Sequence, residues 1–177
     1  PPKKKKGKII AIVLVVLAVL LAATIALAAL GSSVEDYQEP VENWAEAIEK
    51  DDVDMFYNTY LDLWSELGFT KSEVKDEFKT ILDSFSEDVR DDLDCDDFKT
   101  SVEYGDIEKY DDGDIDDIMD ILEAAGIDDV EIKEAYEIEA TIQAEAEGKK
   151  WETDEYTFVV VKVDGKWSIY EIRGLPV

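Results

Sequence analysis

The sequence of 177 residues contains no histidine and a single cysteine, Cys95. Without histidine, the Ser–His and Cys–His pairs of the common nucleophilic enzymes cannot form. One cysteine allows neither an intrachain disulfide nor a zinc site built from thiolates. We therefore expect a protein that is not an enzyme and that carries no cofactor.

Basic residues are also scarce, with 18 Lys and Arg against 45 Asp and Glu, and the net charge is −27. A chain with this charge repels the phosphate groups of nucleic acids, so nucleic acid is not an expected partner. The charge is unevenly placed, because five lysines stand before residue 9 and every acid lies beyond residue 34. From residue 34 onward, 13 basic residues against 45 acidic ones leave a charge of −32.

Charged residues, proline and glycine are all missing from residues 9–30, an apolar run of 22 residues. At about 1.5 Å per residue, a helix of this length spans about 33 Å, enough to cross the hydrocarbon core of a bilayer. A cleaved signal peptide is the alternative, because Ala26-Leu27-Ala28 has a small-x-small pattern. The apolar cores of signal peptides run to only about 7–15 residues, so the run predicts an uncleaved transmembrane helix.

The lysines before this run predict its orientation, because basic flanks stay in the cytoplasm. Residues 1–8 are then a cytoplasmic flank, residues 31–33 a hinge, and residues 34–177 the extracellular domain of a single-pass cell-membrane protein. An outside domain without disulfides favours a bacterium, in particular a Gram-positive one, over an animal secretory protein. The flanking lysines are candidates for binding anionic lipid head groups. They are Lys3, Lys4, Lys5, Lys6 and Lys8.

The first half of the domain has the apolar spacing of helices. One helix is predicted over residues 34–48, and Pro40 limits its start because proline fits best in a first turn. A second helix is predicted over residues 53–67, ended by Gly68. Residues 70–73 have the sequence of a capping box and open a third helix that continues to residue 89.

The second half has the alternation of strands. Residues 98–110 are a predicted strand, followed by a short helix that Asp114 caps and Gly126 ends. Over residues 138–146 every second residue is apolar, so one face of this strand packs and the other meets water.

A hairpin closes the domain. Asp164-Gly165 predicts a type I′ turn between strands over residues 156–163 and 166–173. Helices followed by an antiparallel meander predict an α+β fold, with the helices laid on one face of a curved antiparallel sheet.

The predicted helix pair VENWAEAIEKDDVDMFYNTYLDLW resembles the opening of domains with the nuclear-transport-factor-two-like, or cystatin-like, fold. VVVKVDGKWSIYEI resembles their closing hairpin, with a Gly-x-Trp step into the last strand. The whole-chain order is similar to uncharacterised membrane-anchored proteins of Gram-positive bacteria. This resemblance implies a cone of helices and sheet over residues 34–174. It implies no single function, because the fold hosts enzymes, ligand binders and scaffolds.

Seven aromatic residues are candidates for lining a ligand pocket inside the cone, since such pockets are mainly apolar. The alternative is that they fill the core. They are Trp44, Tyr57, Tyr60, Trp64, Tyr136, Tyr156 and Trp167.

The acids of the stretch DLDCDDFKTSVE, residues 92–103, have the spacing of an EF-hand calcium loop. Its sixth position, where that loop needs glycine, is Asp97, and a strand is predicted where a helix should follow. A dedicated metal site is therefore not expected, whereas diffuse binding of divalent cations is. The four weak candidate ligands are Asp92, Asp94, Asp96 and Glu103.

Together these features predict an extracytoplasmic domain that binds or scaffolds a partner at the bacterial cell envelope. Besides membrane lipid, the expected partner is an envelope protein or a small ligand. One alternative is an envelope hydrolase using paired carboxylates, which requires an acid with a raised pKa in a cleft. The other is a calcium-dependent adhesion or sensing module.

Overall fold

The computed structural model describes residues 34–175, and one compact unit begins at Asp36. Residues 1–33, which include the predicted basic flank, transmembrane helix and hinge, lie outside the described residues. Within the described range, no helix combines the length and the apolar composition needed to cross a membrane.

Three helices come first in the described chain. They are α1 (Glu39–Lys50), α2 (Val53–Thr59) and α3 (Lys71–Leu93). α1 has Pro40 in its first turn and starts later than the predicted residue 34, since proline fits there and not further inside a helix. The predicted capping box of α3 is confirmed. The Thr70 hydroxyl accepts the N–H of Glu73, and the Glu73 carboxylate accepts the N–H of Thr70.

A five-stranded antiparallel sheet follows, with one helix inserted. The elements are β1 (Lys99–Lys109), α4 (Asp112–Ala124), β2 (Ile132–Ala146), β3 (Lys149–Glu152), β4 (Tyr156–Val163) and β5 (Lys166–Arg173). The strand order is β1-β2-β4-β5, and β3 pairs with the last residues of β2. The predicted α+β fold, with helices packed on a curved antiparallel sheet, is confirmed. β3 was not predicted from the sequence, because four residues are too few to show an alternating pattern.

The closing hairpin agrees with its prediction. Asp164 and Gly165 have φ angles of 51° and 80°, as a type I′ turn requires. The pairing register shifts once in each of the β1–β2, β2–β4 and β4–β5 pairs. An extra residue in one strand bends that strand locally, so these shifts contribute to the curvature of the sheet.

The two faces of the sheet carry different helices. Side chains alternate between faces along a strand, so Phe158 and Val160 of β4 point to one side and Val159 and Val161 to the other. The first pair belongs to the core formed with α1, α2 and α3. The second pair packs in a separate cluster with Ile118 of α4. The prediction that all helices lie on one face is therefore wrong, because β4 and the first residues of β2 are apolar on the second face as well, and α4 covers them there.

The start of α4 also differs from the prediction. Asp111, not Asp114, is the capping residue, and its carboxylate accepts the N–H groups of Gly113 and Asp114 at 2.8 and 3.1 Å. The Asp114 carboxylate in turn accepts a hydrogen bond from the backbone N–H of Asp111. Both acids thus belong to one capping box. In a stretch so rich in acids, the sequence pattern does not show which acid is the capping residue. Gly126 follows the helix with a φ of 82°, as predicted for its end.

α2 ends at Thr59, well before the predicted residue 67. Tyr60 is extended and forms a parallel bridge with Ile169 of β5, and the N–H of Leu61 donates to the Ile169 carbonyl oxygen at 2.8 Å. Pairing with the edge of the sheet takes the place of further helical hydrogen bonds. The segment that follows, residues 60–69, forms part of the candidate site.

Candidate functional site

Aromatic side chains fill the space between the first three helices and the sheet. Trp44 is fully buried, with its ring centroid 5.4–6.4 Å from those of Phe56, Phe85, Tyr156 and Phe158. These separations are those of aromatic rings in contact. Around Trp44 the rings therefore form a packed core.

The seven aromatic residues named from the sequence fall into two groups. The first group joins the core around Trp44 and Phe78, and the second lies beside Tyr37 at one end of the sheet. The core group is Trp44, Tyr57, Tyr60, Trp64 and Tyr156, and the second is Tyr136 and Trp167.

The second group makes a compact stack. Tyr37 lies on Tyr136 with ring centroids 4.1 Å apart, and Trp167 meets both rings edge-on. Lys109 lies over the ring of Tyr136, and Lys162 over that of Trp167. These contacts occupy the ring faces that a ligand would otherwise use.

A cavity of about 390 Å³ adjoins Trp167. Its other walls are mainly polar, including Glu39, Asn43 and Asn58. The Nζ of Lys166, which also lines it, donates to the backbone oxygen of Asn58 at 3.2 Å. Small-molecule sites are mostly apolar with few polar groups, so this cavity has the opposite character.

The four candidate calcium ligands lie on three different elements. Asp92 is in the last turn of α3, Asp94 follows it in a left-handed conformation, and Glu103 is in β1, where it accepts a hydrogen bond from Gln143. Asp96 lies in the loop between them. Across residues 34–175, no three His, Cys, Asp or Glu side chains converge in a way that could hold a metal ion.

Residues 60–69 connect the two faces of the sheet. Tyr60 and Trp64 pack against the core of the first three helices, whereas Leu61 and Leu63 pack in the cluster of α4. The segment therefore wraps the edge of β5. It ends in one helical turn closed by Gly68, whose φ is 85°.

The closing hydrogen bonds of this turn are those of a Schellman motif. The N–H of Gly68 donates to the carbonyl oxygen of Ser65, and the N–H of Phe69 donates to that of Trp64. Only a residue that tolerates positive φ fits at the Gly68 position. The glycine thereby fixes the direction in which the chain continues through Phe69 to Thr70, the cap of α3.

Trp64 lines two depressions of the surface. Their volumes are about 520 and 330 Å³, and most of their exposed lining is apolar. We call them together the Trp64 groove. The larger depression includes Phe69, Val74 and Phe78, and the smaller includes Leu67, Ile121 and Ile127.

Three exposed apolar side chains border the Trp64 groove. They are Leu67, Phe69 and Ile121, with 46%, 54% and 60% of their surface exposed. Six large apolar side chains of the described chain are at least 37% exposed, and three of these six line the two depressions that share Trp64. This group of exposed side chains was not predicted from the sequence. The signal for Phe69 was its position just before the α3 cap, where an apolar residue commonly contacts the fourth helical residue, here Val74.

The charged side chains that line the Trp64 groove are all acidic. Glu73, Asp76 and Glu77 line the larger depression and Glu171 the smaller, and neither is lined by lysine or arginine. The pKa of the Glu73 carboxyl is lowered by hydrogen bonds from the backbone N–H and then the hydroxyl of Thr70. At neutral pH the larger depression is therefore an apolar surface with a negative rim, whereas Glu171 beside the smaller one is ion-paired with Arg173 at 2.9 Å.

Trp64 contributes one further feature. Its indole N–H is buried and has no hydrogen-bond partner among the described residues. Most buried donors in folded proteins are paired, so an unpaired one at the centre of a groove calls for an explanation.

The carboxyl groups whose pKa is shifted do not have the raised pKa that the general acid of a paired-carboxylate hydrolase needs. There are five such groups in the described chain, and in all five the pKa is lowered, because hydrogen bonds from lysines, hydroxyls or backbone N–H groups favour the charged form. At Glu49 burial raises the pKa, and hydrogen bonds from Lys99 and Thr100 outweigh it. A glycosidase acid needs the opposite shift. The five are Glu49, Asp54, Glu66, Glu73 and Glu134.

No protein-family model, curated protein or solved structure matches this chain.

Proposed function

We propose that this chain is a membrane-anchored binding or scaffold domain of a bacterial cell envelope, and that it binds its partner through the Trp64 groove. In this proposal, residues 9–30 anchor the chain in the cell membrane and the lysines before them lie in the cytoplasm. The α+β domain then lies outside, as in the Gram-positive surface proteins with a cystatin-like fold that the sequence resembles.

The observation that carries the binding role is the cluster of exposed Leu67, Phe69 and Ile121 around Trp64. Apolar side chains exposed singly are common, whereas a contiguous group around a depression is typical of an interaction site. A tryptophan in such a depression is the kind of residue that contributes most to protein interfaces. The rest of the domain surface is rich in charge, which makes this cluster distinct.

Site-specific photo-crosslinking in intact cells tests the binding role. A photoreactive phenylalanine analogue replaces Phe69 or Ile121 in the full chain. We expect discrete adducts from both positions, identified by mass spectrometry as the same partner. The matched control is Ile107 of β1, which is 37% exposed and does not line the Trp64 groove. If position 107 gives the same adducts, or positions 69 and 121 give none, the groove is not the binding surface.

Protease treatment of intact cells tests the orientation separately. We expect digestion of the acidic domain without lysis, because the proposal places it outside the membrane. A domain that resists protease until the cells are lysed contradicts the outward orientation and leaves the role of the Trp64 groove to the crosslinking result.

A further inference from the structure

We propose that the occupant of the Trp64 groove is a cationic amphipathic segment of a partner protein. This inference rests on the proposed function, because it names the partner chemistry of the same groove. The apolar side chains of the segment would fill the two depressions, and its lysines or arginines would lie against the acidic rim.

The rim acids on α3 lack cationic partners within the described chain. Asp76 and Glu77 are exposed and form no ion pair with any described lysine or arginine. The two lysines nearest them in sequence are engaged elsewhere, Lys75 with Asp54 and Lys79 with Asp83. Two negative charges therefore stand beside the larger depression without compensation.

Charge complementarity favours a cationic segment over the other possible occupants of the Trp64 groove. A cationic segment gains attraction from Asp76 and Glu77, and the net charge of the domain speeds its approach. An acidic segment or an anionic membrane surface meets repulsion from the same groups. A second copy of this chain would bring its own acidic rim against the first, so self-association through this groove is disfavoured in the same way.

The groove also suits the way amphipathic helices bind. Such helices place apolar side chains from one face into a hydrophobic groove and keep their charged side chains at its border. The two depressions that Trp64 lines provide two places for apolar side chains.

Synthetic peptides test this proposal against the full chain held in phosphatidylcholine nanodiscs, with empty nanodiscs as the background. Three peptides of roughly 15 residues share one leucine face, and their other face carries lysine, serine or glutamate. Fluorescence anisotropy measures binding. We expect the lysine peptide to bind at least tenfold tighter than the serine peptide, and the glutamate peptide to bind more weakly than either.

Two matched double variants separate the groove from the general charge of the domain. D76N/E77Q removes the rim charges, and E87Q/D88N removes two exposed acids from the same helix about 16 Å further along it. We expect the first to weaken the lysine peptide on the order of tenfold and the second less than twofold. Phe69→Ser should weaken both the lysine and serine peptides.

Each remaining outcome overturns the proposal. Equal effects of the two double variants would show diffuse electrostatic attraction, and no loss on Phe69→Ser would show that the groove is not used. Preference for the glutamate peptide, or binding of phosphatidylglycerol vesicles through Phe69, would assign the groove to another occupant. If crosslinking in cells succeeds while these peptide results fail, the groove binds a partner of different chemistry and the proposed function stands.

Discussion

The indole N–H of Trp44 donates a hydrogen bond to the phenol oxygen of Tyr60, 3.0 Å away. Trp44 is fully buried in α1, and Tyr60 is the first residue after α2. The bond therefore fixes the start of residues 60–69 against the core. Because the same segment carries Trp64 and Leu67, the shape of the Trp64 groove depends on a contact made inside the core.

We expect Tyr60→Phe to lower the free energy of unfolding by about 1–3 kcal/mol, since it leaves the buried Trp44 N–H without an acceptor. Urea denaturation of the full chain measures the change. Tyr170→Phe is the matched control, because Tyr170 is partly buried and its hydroxyl forms no hydrogen bond within residues 34–175. An equal loss in both variants would show that the Trp44 contact is not the cause.

The same phenol predicts how stability depends on alkaline pH. Burial raises the pKa of Tyr60 to about 12, against an ordinary value of 10.0, and the hydrogen bond from Trp44 opposes this only in part. The folded chain keeps the phenol neutral while the unfolded chain ionises it above pH 10. The stability that this neutral phenol contributes is thus present below pH 10 and is lost as pH rises through 12.

Unfolding of the original chain and Tyr60→Phe, measured from pH 9 to 12, checks this dependence. Over that interval the unfolding free energy of the original chain should fall by about 2–3 kcal/mol more than that of Tyr60→Phe, because a shift of two pKa units corresponds to this amount. Parallel curves would mean that Tyr60 titrates normally in the folded chain.

Local sequence patterns predicted the hairpin turn and the α3 capping box at the residues where the structure has them. The turn at Asp164 and Gly165 depends on two adjacent residues, and the capping box on residues 70–73, so each signal lies within the element that it forms. The end of α2 could not be predicted in this way. It depends on a bridge between Tyr60 and Ile169, which are far apart in sequence.

The position of α4 and the Trp64 groove also could not be predicted from local patterns. An apolar stripe containing Ile118 predicts a packed helix, but not which face of the sheet the helix covers. Trp64 was named as a candidate from its residue type, whereas Ile121 was missed because its exposure depends on how α4 meets residues 60–69. A surface assembled from distant segments leaves no single pattern in the sequence.

We expect Asp111→Ala to destabilise α4 by about 0.5–2 kcal/mol, because it removes the acceptor for two backbone N–H groups at the start of the helix. Hydrogen exchange of the α4 amides measures the local effect. Asp116→Ala makes the same change of charge at an exposed position inside the helix and should change stability by less than about 0.5 kcal/mol. Equal protection losses in both variants would point to charge and not to the cap.

Divalent cations should stabilise the domain by screening and not by occupying one site. The described acids repel one another, and Asp92, Asp94 and Asp96 do not converge with Glu103 on a common point. Screening depends on ionic strength, so Ca²⁺ and Mg²⁺ at equal concentration should raise the melting temperature equally, and sodium chloride at matched ionic strength should reproduce most of the rise. Scanning calorimetry of the full chain measures all three. A shift produced by submillimolar Ca²⁺ alone, and abolished by D94N/D96N, would instead establish a calcium site in the loop after α3 and favour the adhesion or sensing alternative.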